Sequence, residues 1–136
     1  MADPTCPLCT GPGGEVLTQD GFPRVVLAAE PGHPVVCRVI LQEHRREMTD
    51  LTEPEAARLM ARVRSTERAL RDLLAPDKIN LASLGNLVPH LHWHVIPRWR
   101  DDPHFPRPIW AAPERGDRQP PALAEFAGRL RAALNR

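Results

Sequence analysis

Residues 90–96 read His90-Leu91-His92-Trp93-His94-Val95-Ile96, so half of the chain's six histidines fall within five positions. The alternation with apolar residues is strict, and a β-strand turns alternate side chains to opposite faces. A strand through 90–97 would line His90, His92 and His94 along one face and Leu91, Trp93 and Val95 along the other. Neighbouring imidazoles would stand about 6.6 Å apart, two rises of about 3.3 Å each, so one phosphate group can touch two of them. A neutral imidazole is a competent nucleophile at neutral pH. The same face could ligate a metal, because His-x-His pairs on strands suit zinc, or be a polar, solvated sheet surface. The density of histidine argues against the last reading.

Two further groups of residues bear on this chemistry. Before the histidines stands Asn80-Leu81-Ala82-Ser83-Leu84-Gly85-Asn86. Gly85 lets backbone approach a ligand closely, and the Asn86 amide can donate to phosphate oxygens without adding charge. Gly-Asn is also an ordinary turn dipeptide. At the N-terminus, Cys6-Pro7-Leu8-Cys9 has zinc-ligand spacing, but a lone C-x-x-C is half a site and equally describes two reduced thiols. Cys37 lies in an apolar run and reads as a core residue.

The elements that must position these groups are legible from periodicity and punctuation. Thr52-Glu53-Pro54-Glu55 is a capping box. Leu59, Met60, Val63, Leu70 and Leu74 then recur at helical steps with arginines between them until Pro76, which predicts one long amphipathic helix over 53–74. Leu123, Phe126, Ala127, Leu130 and Leu134 predict a short closing helix. Strands are expected over 24–30, 36–42, 78–83 and 90–97, with a weak one near 15–17. The loop Pro31-Gly32-His33-Pro34 joins the first two long strands as a hairpin. Strands in pairs with helices kept apart from them predict an α+β fold, a mainly antiparallel sheet of about five strands with helices packed on one side. Residues 100–119, rich in proline and without periodicity, read as an irregular arm, with Trp110 as an interface residue or a buried anchor.

At 136 residues the chain is expected to form a single domain over 1–136, with its core over about 6–110 and an arm and closing helix over 111–136. Eighteen Lys and Arg against seventeen Asp and Glu leave a net charge of +1, so no global field draws it to nucleic acid or an anionic membrane. Phosphate recognition must then be local. The first residues carry neither a basic start nor an apolar run, and no stretch suits a membrane span, so a cytoplasmic protein is expected. Three cysteines without an export signal speak for free thiols or a metal site over a disulfide framework.

The run from His90 to Ile96 resembles the signature of the histidine triad (HIT) superfamily, His-φ-His-φ-His-φ-φ with φ apolar. Gly85-Asn86 looks like the Gly-Gln that precedes it in many members. The likeness extends over about 6–110, and the segment 77–86 is similar to a branch of small stand-alone bacterial triad proteins. The resemblance implies a HIT-like α+β fold, usually a homodimer, that binds a nucleotide. His92 would attack the α-phosphate, His94 would donate to a phosphate oxygen or the leaving group, and His90 would orient the pair. Asn86, Asn80 and Gly85 would hold phosphate, and Glu30 the ribose. Catalysis would require no cofactor. A structural zinc site of Cys6 and Cys9 would be completed by His44 and His90. Asn86 stands where Gln is usual, and Leu91 and Trp93 stand where the galactose-transferring branch has Pro, which sets that chemistry aside.

The resulting expectation is a nucleotide hydrolase or nucleotidyl transferase cleaving a nucleoside phosphoanhydride or phosphoramidate through a nucleotidyl-histidine. The alternatives are a nucleotide-binding regulatory module with negligible turnover and a metal-binding protein built on the three histidines.

Overall fold

The structure, a computed structural model, describes residues 2–136. Five strands, β1 (Glu15–Val16), β2 (Arg24–Glu30), β3 (His33–Ile40), β4 (Lys78–Ala82) and β5 (His92–Arg98), form one sheet in the order β1-β2-β3-β5-β4 with every neighbouring pair antiparallel. The helices are a short α1 (Pro7–Thr10), the long α2 (Glu53–Leu74), which crosses from β3 to β4, and the closing α3 (Leu123–Leu134). The expected α+β architecture is present. Among the described residues, no helix is long and apolar enough to cross a membrane.

α2 begins where its capping box does. The Thr52 hydroxyl accepts from the Glu55 amide, and the Glu55 carboxylate accepts from the Thr52 amide. It ends at Ala75, which sits in the left-handed region at φ +46° just before Pro76. Its apolar stripe, Leu59, Val63 and Leu70, packs with Phe126, Leu130 and Leu134 of α3 onto Val25, Val39 and Val95 of the sheet. Cys37 lies in this core, fully buried, and burial pushes its thiol up to about 12.

Two strand starts differ from expectation. β3 starts at His33 instead of residue 36, because the turn needs only Pro31 and Gly32. Glu30 already pairs with His33, and Gly32 supplies φ +78°. β5 starts at His92, two residues later than predicted. Pro89 has no amide to donate, the His90 amide turns back to the Val88 carbonyl, and the Leu91 amide goes to the Arg45 carbonyl.

The long helices α2 and α3 cover one face of the sheet. On the other, β5 presents His92, His94, Ile96 and Arg98. Arg98 anchors the irregular arm that follows. Its guanidinium makes two hydrogen bonds to Asp102 (2.8 and 3.1 Å) and donates to the Arg107 carbonyl and to Asn80, and both Arg98 and Asp102 are only 2% exposed. Burial alone would raise the Asp102 carboxyl, but Arg98 and the amides of His104, Trp99 and Phe105 outweigh it and hold it well below the usual range. Ile109 then packs against Val36 and Ile96, which lays the arm across the histidine face.

Candidate active site

His92 and His94 open into a cleft of about 290 Å³ whose other walls are residues 84–88 and Trp110. Gly85 holds φ +73°, which shapes the loop over the histidines, and Asn86 lines the cleft beside it. The two imidazoles meet edge to face with centroids 5.1 Å apart, and Trp110 meets His94 in the same manner at 5.1 Å. Trp110 is 46% exposed and Leu87 96%, so the cleft combines a polar floor with an apolar rim. Trp110 is thus neither a buried anchor nor remote from the chemistry. It reaches the cleft because the Arg98–Asp102 pair folds the arm back.

One hydrogen bond sets the tautomer of the His92 ring. Its Nδ1 lies 2.6 Å from the His90 carbonyl oxygen. A carbonyl can only accept, so Nδ1 carries the proton and the lone pair is on Nε2. Burial, followed by the charge of Arg38, lowers the pKa of His92 against the opposing hydrogen bond to His90. The result is a neutral, oriented imidazole with a free nitrogen in a cleft.

His90 itself is not on this face. Because β5 starts after it, its ring is turned away and completely buried, with Nε2 donating to the Leu41 carbonyl at 2.6 Å. That bond leaves the Nδ1 lone pair facing Cys6 Sγ at 3.4 Å, Cys9 Sγ at 3.5 Å and His44 Nδ1 at 3.2 Å; Cys9 Sγ is 3.3 Å from His44 Nδ1. Zinc bonds of about 2.3 Å to sulfur and about 2.0 Å to nitrogen at tetrahedral angles place ligand atoms about 3.3–3.8 Å apart, so the four atoms fit a zinc ion. The surroundings hold them there. Arg24 donates to the carbonyls of Leu8, Gly11 and Pro12 and ties the α1 segment to the sheet, while Arg45 grips Glu55 at the start of α2 beside His44. Of the three triad imidazoles, two therefore face the cleft and one faces the cysteines.

Two other predicted contacts lie outside the cleft lining. Asn80 accepts from Arg98 at 2.7 Å, and Glu30 pairs with Arg38 at 3.0 Å. Arg38 is a residue that sequence reasoning missed: it stands directly opposite His94 in the β3–β5 register and so shares its face. The signal was there, a lone cation inside the apolar run Val35-Val36-Cys37-Arg38-Val39-Ile40.

The buried imidazoles are expected to make the fold acid-sensitive. Burial, then the charges of His92 and Arg38, takes His94 down to about 4. Burial also lowers His33, whose Nε2 is 2.8 Å from His104 Nδ1, with Asp102 opposing and His104 and Arg98 adding to the effect. A histidine in the unfolded chain titrates near 6.5, so the unfolded state takes up protons first, and stability falls as pH drops below that value until the folded groups titrate. His94 alone should cost about 1 kcal/mol at about pH 5.5. Urea midpoints measured at pH 7.5 and 5.5 should show the drop; equal midpoints would contradict buried neutral imidazoles.

Comparison with known proteins gives a consistent picture. The HIT domain family model matches residues 14–101. An AP-4-A phosphorylase from Mycobacterium tuberculosis is 32% identical over 98 residues, 68% of this chain and 50% of that protein. A bis(5'-adenosyl)-triphosphatase from Saccharomyces cerevisiae is 33% identical over 75 residues, 52% of this chain and 35% of that protein. The aligned region thus spans half or less of these curated relatives. Among solved structures, a histidine triad protein from Bradyrhizobium japonicum superposes with a TM-score of 0.75 at 28% identity, covering 88% of this chain and 91% of that one. A zinc-bound histidine triad family protein from Mycobacterium smegmatis gives 0.68 at 25% identity, covering 96% and 93%.

Proposed function

The chain belongs to the HIT domain family, and from that membership we propose that it is a nucleotide hydrolase or nucleotidyl transferase that cleaves at the α-phosphate of a nucleoside phosphoanhydride or phosphoramidate. The observation that carries this reading is the His92 Nδ1 bond to the His90 carbonyl, which leaves the Nε2 lone pair available in the cleft. Nε2 attacks the α-phosphorus. A phosphorus–nitrogen bond to His92 forms as the bond to the leaving group breaks, and the leaving group departs with the bonding pair and acquires a proton. His94 supplies a hydrogen bond or that proton where charge develops. Asn86 and the Gly85 backbone hold phosphate oxygens. Water, or another acceptor, then attacks the same phosphorus, releases the nucleotide and restores neutral His92. Dinucleoside polyphosphates, named for both curated relatives, head the substrate list.

Asn80 and Glu30 act in this scheme through Arg98 and Arg38 and not by touching substrate. Cys6, Cys9, His44 and His90 hold zinc, which when bound supplies a fixed cross-link between the N-terminal segment and the start of β5. The single domain over 1–136 works as a cytoplasmic homodimer, whose mass by light scattering should be twice 15.2 kDa.

Incubation with diadenosine polyphosphates, adenosine phosphoramidate and nucleotide sugars, followed by rapid quench and mass spectrometry, should yield a nucleotidyl adduct on His92. Binding without an adduct or product from any of them would overturn the enzymatic reading in favour of a nucleotide-binding module.

A further inference from the structure

Three side-chain polar atoms are buried without a hydrogen-bond partner among the described residues: Arg38 Nε, Trp93 Nε1 and His94 Nδ1. Such orphans are rare and each calls for an explanation. Trp93 belongs to the opposite face of β5, where it packs on the helix-side core. The other two belong together. Arg38 and His94 are directly paired across β3 and β5, which puts their Cβ atoms about 5 Å apart on one face. Their chemistry is complementary, since Arg38 Nε–H can only donate, and a neutral imidazole has one nitrogen that accepts.

The rest of the Arg38 guanidinium is already held. Nη2 donates to Glu30 Oε1 at 3.0 Å and Nη1 to the Gly13 carbonyl at 3.2 Å. The head group cannot swing away to satisfy itself elsewhere without giving up both bonds. His94 has no comparable carbonyl on its Nδ1, in contrast to His92. Its ring nevertheless lines the cleft, and Nδ1 is its buried nitrogen.

We infer that Arg38 is a positioning residue for His94: its Nε–H donates to His94 Nδ1, directly after a small rotamer adjustment or through one buried water, and so fixes the proton of His94 on Nε2, toward the cleft. Glu30, Arg38 and His94 form a chain in which a carboxylate orients a guanidinium and the guanidinium orients an imidazole. The two cleft histidines are then set in opposite senses. The His90 carbonyl makes His92 Nε2 a lone pair for attack, and Arg38 makes His94 Nε2 a donor for the phosphate oxygen or leaving group. This division of roles rests on the proposed reaction at His92; the tautomer assignment does not.

The test separates the two. Two-bond proton–nitrogen NMR on histidine-labelled protein reads the tautomer of His94 without substrate. The native protein should show the Nε2–H form, and Arg38→Met, which keeps the apolar stem, should shift His94 toward Nδ1–H. Glu30→Gln, which loosens the guanidinium but leaves it in place, should produce a smaller shift in the same direction and covers the case in which Arg38→Met folds poorly. With a substrate that forms the adduct, kcat should fall about 10- to 100-fold in Arg38→Met while KM changes little, as for other partners that orient a reacting group. An unchanged His94 tautomer in both variants overturns the inference whatever the activity. A shifted tautomer in a protein that turns over no nucleotide upholds Arg38 as the positioning residue and counts against the reaction alone.

Discussion

His92→Ala is expected to eliminate the nucleotidyl adduct and to lower turnover on the order of a thousandfold or more, because removing a nucleophile abolishes the covalent route outright and leaves only binding and charge stabilisation. The size of the effect follows from the geometry. His94 cannot take over, since its proton-bearing nitrogen in the cleft is a donor by the assignment above, and the His90 ring is turned away into the cysteine cluster. The variant should still fold. Among the described residues, the His92 side chain makes one hydrogen bond, to the His90 carbonyl, worth about 1 kcal/mol, and the main core lies on the far face of the sheet. Burst kinetics with a chromogenic or fluorogenic leaving group is the appropriate measurement, with circular dichroism and a melting curve as the fold control. A folded His92→Ala protein that keeps its burst would exclude His92 as nucleophile and leave the cleft as a phosphate-binding surface with chemistry elsewhere.

How far this site was legible in the sequence depends on which contacts are local. α2 was readable because a capping box and a 3.6-residue apolar period act within a few residues of one another. The pairing of His92 with His94 on one face was readable for the same reason, as strand alternation is local. His90 follows the same alternation on paper yet leaves the face, because backbone bonds to Val88 and Arg45 pre-empt the ladder before it; the second of these depends on a segment 46 residues away. The partners of its ring are more distant still. Cys6 and Cys9 reach it only because Arg24 on β2 gathers the carbonyls around α1, so C-x-x-C spacing alone was half a site. Trp110 had no periodic context, and its arrival at His94 depends on Arg98, Asp102 and Ile109 folding the arm across the sheet. Arg38 offered a usable signal, a charge where β3 otherwise reads as core. Its meaning emerges only with the β3–β5 register, which pairs it with His94.

Metal removal should be felt in two places at once, and this follows from the two bonds that His90 makes. Its ring belongs to the Cys6, Cys9, His44 cluster, while its carbonyl holds the Nδ1 proton of His92. Purified protein is expected to carry about one zinc per chain by elemental analysis, and Cys6→Ser or prolonged chelation should release it. Without the ion, two thiols and two imidazole lone pairs crowd within 4.8 Å of one another, kept together by the Arg24 and Arg45 contacts around them and by no bond through a shared centre. The melting temperature should then drop on the order of ten degrees, since metal-binding energy contributes directly to folding energy. The main core does not depend on this cluster: Leu59, Val63, Leu70, Phe126 and Leu130 pack on the other side of the sheet, so the metal-free chain should keep its helical content. Turnover should fall as well, through the His90 carbonyl and without any part for the ion in bond breaking. Amide exchange at 90–92 is the discriminating measurement. It should quicken on metal loss along with the fall in activity, and re-addition of zinc should reverse both. A chelated protein with the same melting curve would mean the cluster holds no structural metal, and one that loses metal and stability yet keeps its full burst would show that His92 is oriented without help from the cluster.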